Sequence, residues 1–506
     1  MLLLGAGASS IAAAAALHEA GVELLVLEAR DYVGGRMNAV PFPPPDKDKD
    51  KDDKDKKKST AAATAAAATV IELGGNWVHG ASSNTVLWPW VEKLGLRGAL
   101  TSYASPNGTS AECVRMSDVE PMTGVTTRVD GGLVDKWQEI FDRTNEACTD
   151  MAVNGIDRPF FRNDVSVAEC FAKVGYWDSL STLRGSELAL EFRIASYYAW
   201  EMVDFEDEDR PSACSTAFSF PQNEGMTDYL DYLVADPRGY SYILTGGIGK
   251  EVIRDGLVRL NTRVTNVDYT NAAGADDDGG FVVVSAYNTE TGNVEIYEAE
   301  RVVVTFPLGV MKTADEKRLF SPALPRSKME AYEQFGFGNY GKIFVVFDGE
   351  LPFAEEIFKL SVRDVSEHMP WVLNLGLDKY LPGSNMLNFH IVNGVARGIE
   401  AMSLEDATRE VTKGLKLLFG KDYDKVPAIK TIYKTSWSTD ELFNGSYSYW
   451  PLGLLPPVAN QMLKPVDGRL FFAGEHTSEV HFGFVHGAIE SGERAAKEVL
   501  ASMGRG

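Results

Sequence analysis

The sequence has few cysteines, no long apolar run and fewer basic than acidic residues, and each of these absences argues against a class of protein. Four cysteines in 506 residues are too few and too far apart for a disulfide scaffold, and none shows the C-x-x-C spacing of a zinc site. No stretch of 18 apolar residues occurs, which argues against a membrane-spanning helix. Lysine and arginine number 49 against 72 acidic residues, and a net charge of −23 argues against a general nucleic-acid binder. That acidity favours a cationic small molecule near the surface, although a solubilising charge excess explains it at least as well. The cysteines are Cys113, Cys148, Cys170 and Cys214.

The first thirty residues predict a βαβ unit that binds a dinucleotide. A strand at residues 2–4 precedes a glycine turn, a helix at 9–20 and a second strand at 22–28. Gly5 permits the tight turn, and Gly7 lets the backbone approach a pyrophosphate at the helix amides.

Two residues qualify this motif. Ser10 replaces the third glycine of G-x-G-x-x-G, a packing position where a small residue is expected to be tolerated. Glu28 lies 23 positions after Gly5, where its carboxylate can accept hydrogen bonds from an adenosine ribose. The glycines alone are equally typical of an ordinary strand-turn-helix, and their combination with Glu28 favours the dinucleotide.

A second glycine turn follows in ARDYVGGR. Gly34 and Gly35 give a flexible turn, and Arg36 places a fixed cation near the same pyrophosphate. The alternative is a loop with an ordinary surface arginine.

Residues 41–69 form a low-complexity insert in which positions 46–58 are only lysine and aspartate. Such a stretch cannot bury apolar area, so we predict a solvated, disordered excursion. A polyelectrolyte docking arm is the less favoured alternative. Order resumes with TVIELGGNWVHG, a strand and glycine turn that carry Trp77 and His79.

Several motifs, in order, resemble those of the flavin-containing amine oxidases, and within them the polyamine oxidases. They are GAG, LEARDYVGGR, ELGGNWVHG, VADPRGY (234–240), RVVVTFPLGVMK (301–312), NYGKIFVVF (339–347), NGSYSYWPLG (444–453) and GRLFFAGEHTSEVHFGFVHGAIESGERAA (468–496). The resemblance covers nearly the whole chain apart from the insert.

The resemblance implies an α/β fold with two discontinuous domains, within the two to four that the length allows. A Rossmann-like, doubly wound FAD-binding domain of the glutathione-reductase and amine-oxidase type would comprise residues 1–100, 240–325 and 440–506. A substrate-binding domain with a mixed sheet and helices would comprise 101–239 and 326–439, with the flavin at the junction.

The resemblance also implies the residues that contact FAD. Glu475 follows a strand that ends at Gly474 and would contact the ribityl-phosphate part. The turn at 483–488 would lie under the isoalloxazine, before a helix that begins near Ala488. The family's monoamine oxidases attach their flavin through a cysteine in this block, and no cysteine follows Cys214 here, so the resemblance implies that FAD is bound non-covalently. The predicted cofactor residues are Gly5, Gly7, Ala8, Ser9, Glu28, Ala29, Arg30, Gly34, Gly35, Arg36, Gly74, Gly75, Asn76, Trp77, Val264, Gly474, Glu475, Gly483, Phe484 and Val485.

Lys342 is the main catalytic candidate. It lies in an apolar, strand-like run at 340–347, where burying an ammonium is costly. The resemblance implies a lysine that holds a water against flavin N5, with a lowered pKa that helps oxygen reoxidise the ring. The alternative is a strand-end lysine that reaches solvent.

Aromatic residues are expected to shape the substrate channel. Tyr340, Trp437 and Tyr447 match family positions on the open face of the flavin, and Tyr447 and Phe484 would flank the reacting carbon. Apolar walls suit a methylene chain and ring faces suit an ammonium. Core packing is the alternative for each. Phe484 stands where plant enzymes commonly carry tyrosine.

His79 matches the histidine of spermine-oxidising and back-converting relatives and could help keep the reacting amine neutral. A satisfied structural histidine is the alternative. In DFEDEDRP, Glu206 aligns with a carboxylate for the distal ammonium, although a solvated acidic loop is nearly as well supported.

These features predict a polyamine oxidase acting on spermine, spermidine or their N1-acetyl forms. Hydride would pass to flavin N5, oxygen would reoxidise the flavin and yield hydrogen peroxide, and water would hydrolyse the imine. The alternatives are an L-amino-acid oxidase, a histone-lysine demethylase and a catalytically silent flavoprotein scaffold.

We expect a monomer or weak oligomer with no metal, nucleic-acid or membrane partner. The absence of a signal peptide and of a C-terminal S-K-L predicts a cytoplasmic protein, although a leader that precedes this sequence stays open.

Overall fold

The computed structural model describes residues 1–42, 69–101, 114–120, 123–155, 163–203, 212–213, 231–270, 280–361, 369 and 371–505. The Asp/Lys part of the insert and the acidic cluster with Glu206 lie outside these residues, so both predictions about them stay predictions. The strands, numbered along the chain, are β1 (Leu2–Leu4), β2 (Leu25–Leu27), β3 (Ala39–Phe42), β4 (Thr69–Glu72), β5 (Trp77–Val78), β6 (Gly98–Leu100), β7 (Val114–Val119), β8 (Thr126–Arg128), β9 (Tyr232–Val234), β10 (Val258–Arg259), β11 (Thr262–Asp268), β12 (Val282–Asn288), β13 (Val294–Ala299), β14 (Val302–Val304), β15 (Phe320–Ser321), β16 (Gly336–Gly338), β17 (Tyr340–Phe347), β18 (Ile357–Ser361), β19 (Trp371–Asn374), β20 (Met386–Val392), β21 (Ile429–Lys434), β22 (Tyr447–Tyr449) and β23 (Leu470–Phe472). The helices are α1 (Ala8–Glu19), α2 (Trp88–Leu94), α3 (Gly131–Gly155), α4 (Val167–Lys173), α5 (Gly185–Val203), α6 (Lys250–Arg254), α7 (Leu308–Lys312), α8 (Arg326–Gln334), α9 (Asn393–Ala401), α10 (Leu404–Phe419), α11 (Pro456–Ala459) and α12 (Val485–Ser502).

A parallel sheet in the order β10-β2-β1-β14-β23 joins the start and the end of the chain. Residues 2–4 are buried, as expected for a parallel strand covered on both faces. The glycine turn leads into α1, and α12 packs on α1 so closely that a Cβ on Gly492 would lie 2.0 Å from the Ser9 carbonyl oxygen. The predicted βαβ unit is confirmed.

The second strand is shorter than predicted. Strand pairing of β2 begins only at Leu25. Gly21, with a φ of +70°, ends the helix, and the residues between it and Leu25 form the connection to the strand. Val22 and Leu24 are buried there as part of the helix-packing core.

A seven-stranded mixed sheet in the order β21-β17-β20-β19-β18-β7-β8 forms the second large layer. Only β18 and β7 are parallel neighbours in it. Along β17, Ile343 and Val345 pack into a core with α10, whereas Tyr340 and Phe344 belong to another core that includes α3 to α5. This period of two turns Lys342 to the same face as Tyr340. The α/β class with a mixed sheet is therefore confirmed, and the domain boundaries stay a prediction.

A disulfide, Cys148–Cys170, joins α3 to α4. The sequence did not predict this bond, because the bonded cysteines are 22 residues apart and only helix packing brings them together. Disulfides persist mainly in oxidising compartments, so the bond bears on the compartment, which stays a prediction. In the part of the chain that the structure describes, no helix combines the length and apolarity needed to cross a membrane.

Candidate active site

A cavity of about 1280 Å³ extends between the glycine turn of the parallel sheet and the mixed sheet. Ligand pockets usually measure about 300–1,000 Å³, so this volume has room for a large cofactor together with a substrate. Its wall combines residues from the carboxyl ends of the parallel strands with side chains of β17, β18, β19 and α3.

The glycine turn leaves the amino end of α1 open. Gly5 has a φ of +99°, in the region that favours glycine. Gly7 caps the 12-residue helix, and a Cβ there would meet no atom within 4 Å. The backbone amides of the first turn can therefore be reached by a phosphate. Ser10 is fully buried, and its hydroxyl has no partner among the described residues.

Glu28 lies beside this turn in the cavity wall. Its Oε2 accepts from the Ala6 amide at 2.6 Å and its Oε1 from the Arg30 amide at 2.8 Å. Burial raises the pKa of Glu28 above its ordinary value. Each carboxylate oxygen can accept a second hydrogen bond, so both ribose hydroxyls could still bind. Arg30 instead pairs with Asp440.

Arg36 and Glu475, which both line the cavity, form an ion pair. Arg36 Nη1 lies 2.9 Å from Glu475 Oε1 and also donates to the Ser446 carbonyl oxygen at 2.5 Å. Glu475 Oε2 accepts from the Ser448 hydroxyl at 2.5 Å and from the Gly483 amide at 2.7 Å. Burial alone would raise the pKa of Glu475, but the Arg36 charge and the hydrogen bonds from Ser448 and Arg36 lower it.

Helix α12 begins at Val485, three residues before the predicted start near Ala488. Phe484 is extended at the amino cap, and its carbonyl oxygen already accepts from the Ala488 amide at 3.1 Å. Gly483, Phe484 and Val485 all line the cavity.

Lys342 is buried, with 3% of its surface exposed, so the solvent-reaching alternative is wrong. Its Nζ donates to the carbonyl oxygens of Gly74 (2.6 Å) and Glu72 (3.1 Å) and to Asn76 Oδ1 (2.9 Å), and it lies 5.3 Å from the Trp77 ring. Burial lowers the pKa of Lys342 and raises that of Glu72, so both side chains are shifted toward their neutral forms. The three contacts use all three N–H groups of an ammonium.

Aromatic rings line the face of the mixed sheet around Lys342. Tyr340 and Tyr447 have ring centroids 6.0 Å apart, and Trp77 and Trp371 have centroids 6.3 Å apart. All four line the cavity. Trp437 lines it too, and its indole N–H donates to the Leu73 carbonyl oxygen at 3.3 Å.

His79 pairs with Asp231 at the cavity wall. Its Nδ1 lies 3.1 Å from Asp231 Oδ1, and its ring contacts Phe484 edge-on with centroids 5.2 Å apart. A carboxylate in this position fixes the imidazole orientation and favours a proton on Nδ1. Asp231 was not predicted. It directly precedes β9, and the pairing of β9 with β5 brings it next to His79, which lies 152 residues away in the sequence.

One face of α3 makes another part of the wall acidic. Glu139, Asp142 and Glu146 line the cavity at spacings of three and four residues, which put them on one side of the helix, and Arg143 between them also lines the cavity and lies 3.9 Å from Glu139. Burial raises the pKa of Asp142. The sequence alone gave no signal that this amphipathic helix turns its acidic face to a cavity.

The cavity wall thus gathers most of the predicted site residues. All predicted catalytic residues that the structure describes line it, and of the predicted cofactor residues Arg30 alone lies outside it. Their individual roles stay predictions. The sequence did not predict Asp231, Trp371 or the buried His390 next to Tyr340.

The open helix end, Glu28 and the Arg36–Glu475 pair fit a dinucleotide with phosphates and a ribose. The family of flavin-containing amine oxidoreductases matches residues 11–500. Polyamine oxidase 1 of Zea mays is 28% identical over 526 residues, covering 99% of this chain and 90% of that protein. Polyamine oxidase 7 of Oryza sativa subsp. japonica is 28% identical over 513 residues, covering 97% and 93%. Putrescine oxidase bound to putrescine has a similar fold, with a TM-score of 0.67, 20% identity and coverage of 99% and 98%. The chain therefore belongs to the flavin-containing amine oxidoreductases and is an FAD-dependent amine oxidase.

Proposed function

We propose that this amine oxidase acts on polyamines, with spermine, spermidine and their N1-acetyl forms as the substrates to test first. The observation that carries this proposal is the composition of the cavity wall, which joins an aromatic face around Lys342 to the acidic face of α3. Rings and apolar walls suit methylene segments, and the carboxylates suit ammonium groups placed along the same chain. The relatives named polyamine oxidases support the same class.

The cofactor would be held by the amino end of α1, by Glu28 and by the Arg36–Glu475 pair. When bound, FAD supplies the hydride acceptor and passes the electrons to oxygen, which yields hydrogen peroxide. We infer non-covalent binding, because Cys148, a cysteine in the wall, is bonded to Cys170.

His79 would take the proton that makes the reacting amine neutral. With Asp231 accepting from Nδ1, the Nε2 lone pair is the basic position, and an ammonium can release a proton to it. This matters because a protonated nitrogen has no lone pair to support hydride loss from the neighbouring carbon. Asp231 would then be a positioning residue for His79.

Lys342 would order a water next to the cofactor, as its resemblance to the family lysine implies. For this, one of its three contacts has to open, and the 3.1 Å bond to the Glu72 carbonyl oxygen is the longest. Four aromatic residues of the wall would exclude bulk water from the cavity and contact the methylene chain of the substrate: Tyr340, Tyr447, Trp437 and Phe484.

The test is a peroxide assay on purified yellow protein with spermine, spermidine, their N1-acetyl forms, putrescine and L-amino acids. We expect peroxide from at least one polyamine, at a lower KM than for putrescine. Peroxide from L-amino acids alone, or none from any polyamine, would overturn the substrate assignment. The products, separated by chromatography, identify the C–N bond that is oxidised.

A further inference from the structure

His390 lies directly behind the aromatic wall of the cavity. It pairs across the sheet with Lys342 on β17 and with Trp371 on β19, so all three side chains face the same way. Its ring centroid lies 4.0 Å from that of Trp371 and 5.6 Å from that of Trp77. With 1% exposed surface it is buried, whereas the two tryptophans line the cavity.

Both ring nitrogens of His390 make hydrogen bonds. Nδ1 bonds the Tyr340 hydroxyl, and Nε2 lies 3.0 Å from Asn388 Nδ2. Burial and the neighbouring Lys342 charge lower the pKa of His390 well below its ordinary value, so the ring is neutral and carries one proton. Since the Asn388 amide donates to Nε2, that proton is on Nδ1 and His390 donates to Tyr340.

The orientation of Asn388 supports this direction. Its Oδ1 is buried and has no hydrogen-bond partner among the described residues. If the carboxamide were rotated, Oδ1 would face His390 and the amino group would occupy the buried position that has no partner. That orientation would leave the two N–H donors of the amino group unpaired, whereas the observed one leaves a single acceptor unpaired, which costs less.

We propose that His390 is a positioning residue that makes Tyr340 a hydrogen-bond donor toward an uncharged nitrogen in the cavity. Because the Tyr340 oxygen accepts from His390, its own hydrogen is directed away from His390, and Tyr340 belongs to the cavity wall. A neutral amine can accept this hydrogen bond, whereas an ammonium has no lone pair with which to accept it. The pair therefore favours the protonation state from which hydride can leave.

This inference rests on the proposed amine substrate for its kinetic consequence but not for its structural part. The structural part is tested first, by labelling the seven histidines with 15N and recording long-range 1H–15N spectra of the FAD-bound protein. The signal that disappears in His390→Phe belongs to His390. A proton on Nδ1 is expected, and a proton on Nε2, or a doubly protonated ring, would overturn the proposal. This arm needs no turnover, so it stays decisive if the proposed substrates fail.

The kinetic arm is a double-mutant cycle. Tyr340→Phe and His390→Phe should each raise KM for the best amine about tenfold with a smaller change in kcat, and the double variant should be no worse than Tyr340→Phe alone. Effects that multiply to about a hundredfold would show that His390 acts independently of the hydroxyl.

Two further variants separate this role from packing. His390→Gln can still donate to Tyr340, and it should recover part of the KM that His390→Phe loses. If His390→Phe does not fold, His390→Gln replaces it in the double-mutant cycle. Tyr433→Phe removes a hydroxyl from the neighbouring strand β21 and should leave KM unchanged. An equal rise in KM for Tyr433→Phe, or no recovery with glutamine, contradicts the proposal.

Discussion

Lys342 Nζ donates a 2.6 Å hydrogen bond to the carbonyl oxygen of Gly74, which joins strand β17 to the turn that follows β4. The Lys342 side chain therefore holds the ELGGNW turn in place, and the same side chain lines the cavity. A lysine with these contacts combines a structural and a chemical task, and the two can be separated by experiment.

Lys342→Met should leave the protein yellow but slow flavin reduction or reoxidation by about tenfold or more. The reason is that methionine fills the volume without a donor for the turn or for a water. Stopped-flow absorbance of the flavin measures both half-reactions. Lys328→Met is the matched control, because Lys328 is equally buried but bonds the Gln461 and Met462 carbonyl oxygens outside the cavity wall. Lys328→Met should lower the stability of the protein without slowing either half-reaction. If Lys342→Met left both rates unchanged, the proposed role of Lys342 would be wrong.

Asp231→Asn should lower kcat/KM by about tenfold, and His79→Gln by about a hundredfold, with unchanged flavin content. Asparagine can present its amino group to Nδ1, and the proton then moves to Nε2, where the proposed base needs a lone pair. Steady-state peroxide assays at several pH values measure the loss. The double variant should match His79→Gln alone, and independent, multiplying effects would speak against the pairing.

Glu146→Gln and Asp142→Asn should raise KM by roughly three- to tenfold for tetra-amines and less for diamines, with kcat nearly unchanged. The carboxylates act on ammonium groups distant from the reacting carbon, so a shorter substrate loses less. The effect should shrink in high salt. Glu410→Gln on α10 is the control, since Glu410 forms an ion pair with Lys413 and does not line the cavity. Equal losses for diamines and tetra-amines would contradict the assignment.

Glu475→Gln should destabilise the protein by about 3 kcal/mol at neutral pH, because it leaves Arg36 without its buried partner. The pKa of Glu475 is lower in the folded state than its ordinary value of 4.5. Its stabilisation is therefore complete above about pH 4.5 and is lost as the pH falls below that value. Thermal unfolding of wild type and variant should differ most near pH 7 and converge in acid. A constant difference down to acid pH would show that the charge is not the cause.

The disulfide predicts the thiol count. Protein denatured without a reductant should show at most two reactive thiols of the four cysteines, and all four after reduction. The paired variant Cys148→Ser with Cys170→Ser should lose about 3 kcal/mol, the expectation for a loop of this length. Four reactive thiols before reduction would exclude the bond.

Local motifs predicted the cofactor side of the cavity well. The glycine turn, Glu28 and the strand at 470–472 are defined by short-range spacing and by runs of buried residues, which the βαβ unit requires wherever it occurs. The strand character of 340–347 could likewise be predicted, because alternating positions pack on two different cores.

The substrate side required the folded chain. Asp231 reaches His79 only through the pairing of β9 with β5, and His390 reaches Tyr340 only through the register of β20 with β17. The acidic face of α3 is an ordinary amphipathic pattern until packing turns it toward a cavity. Residue spacing along the chain predicts contacts within a single turn, helix or strand. Contacts between residues fifty or more positions apart, such as Tyr340 with His390, depend on how the sheets and helices pack, so spacing in the sequence did not predict them.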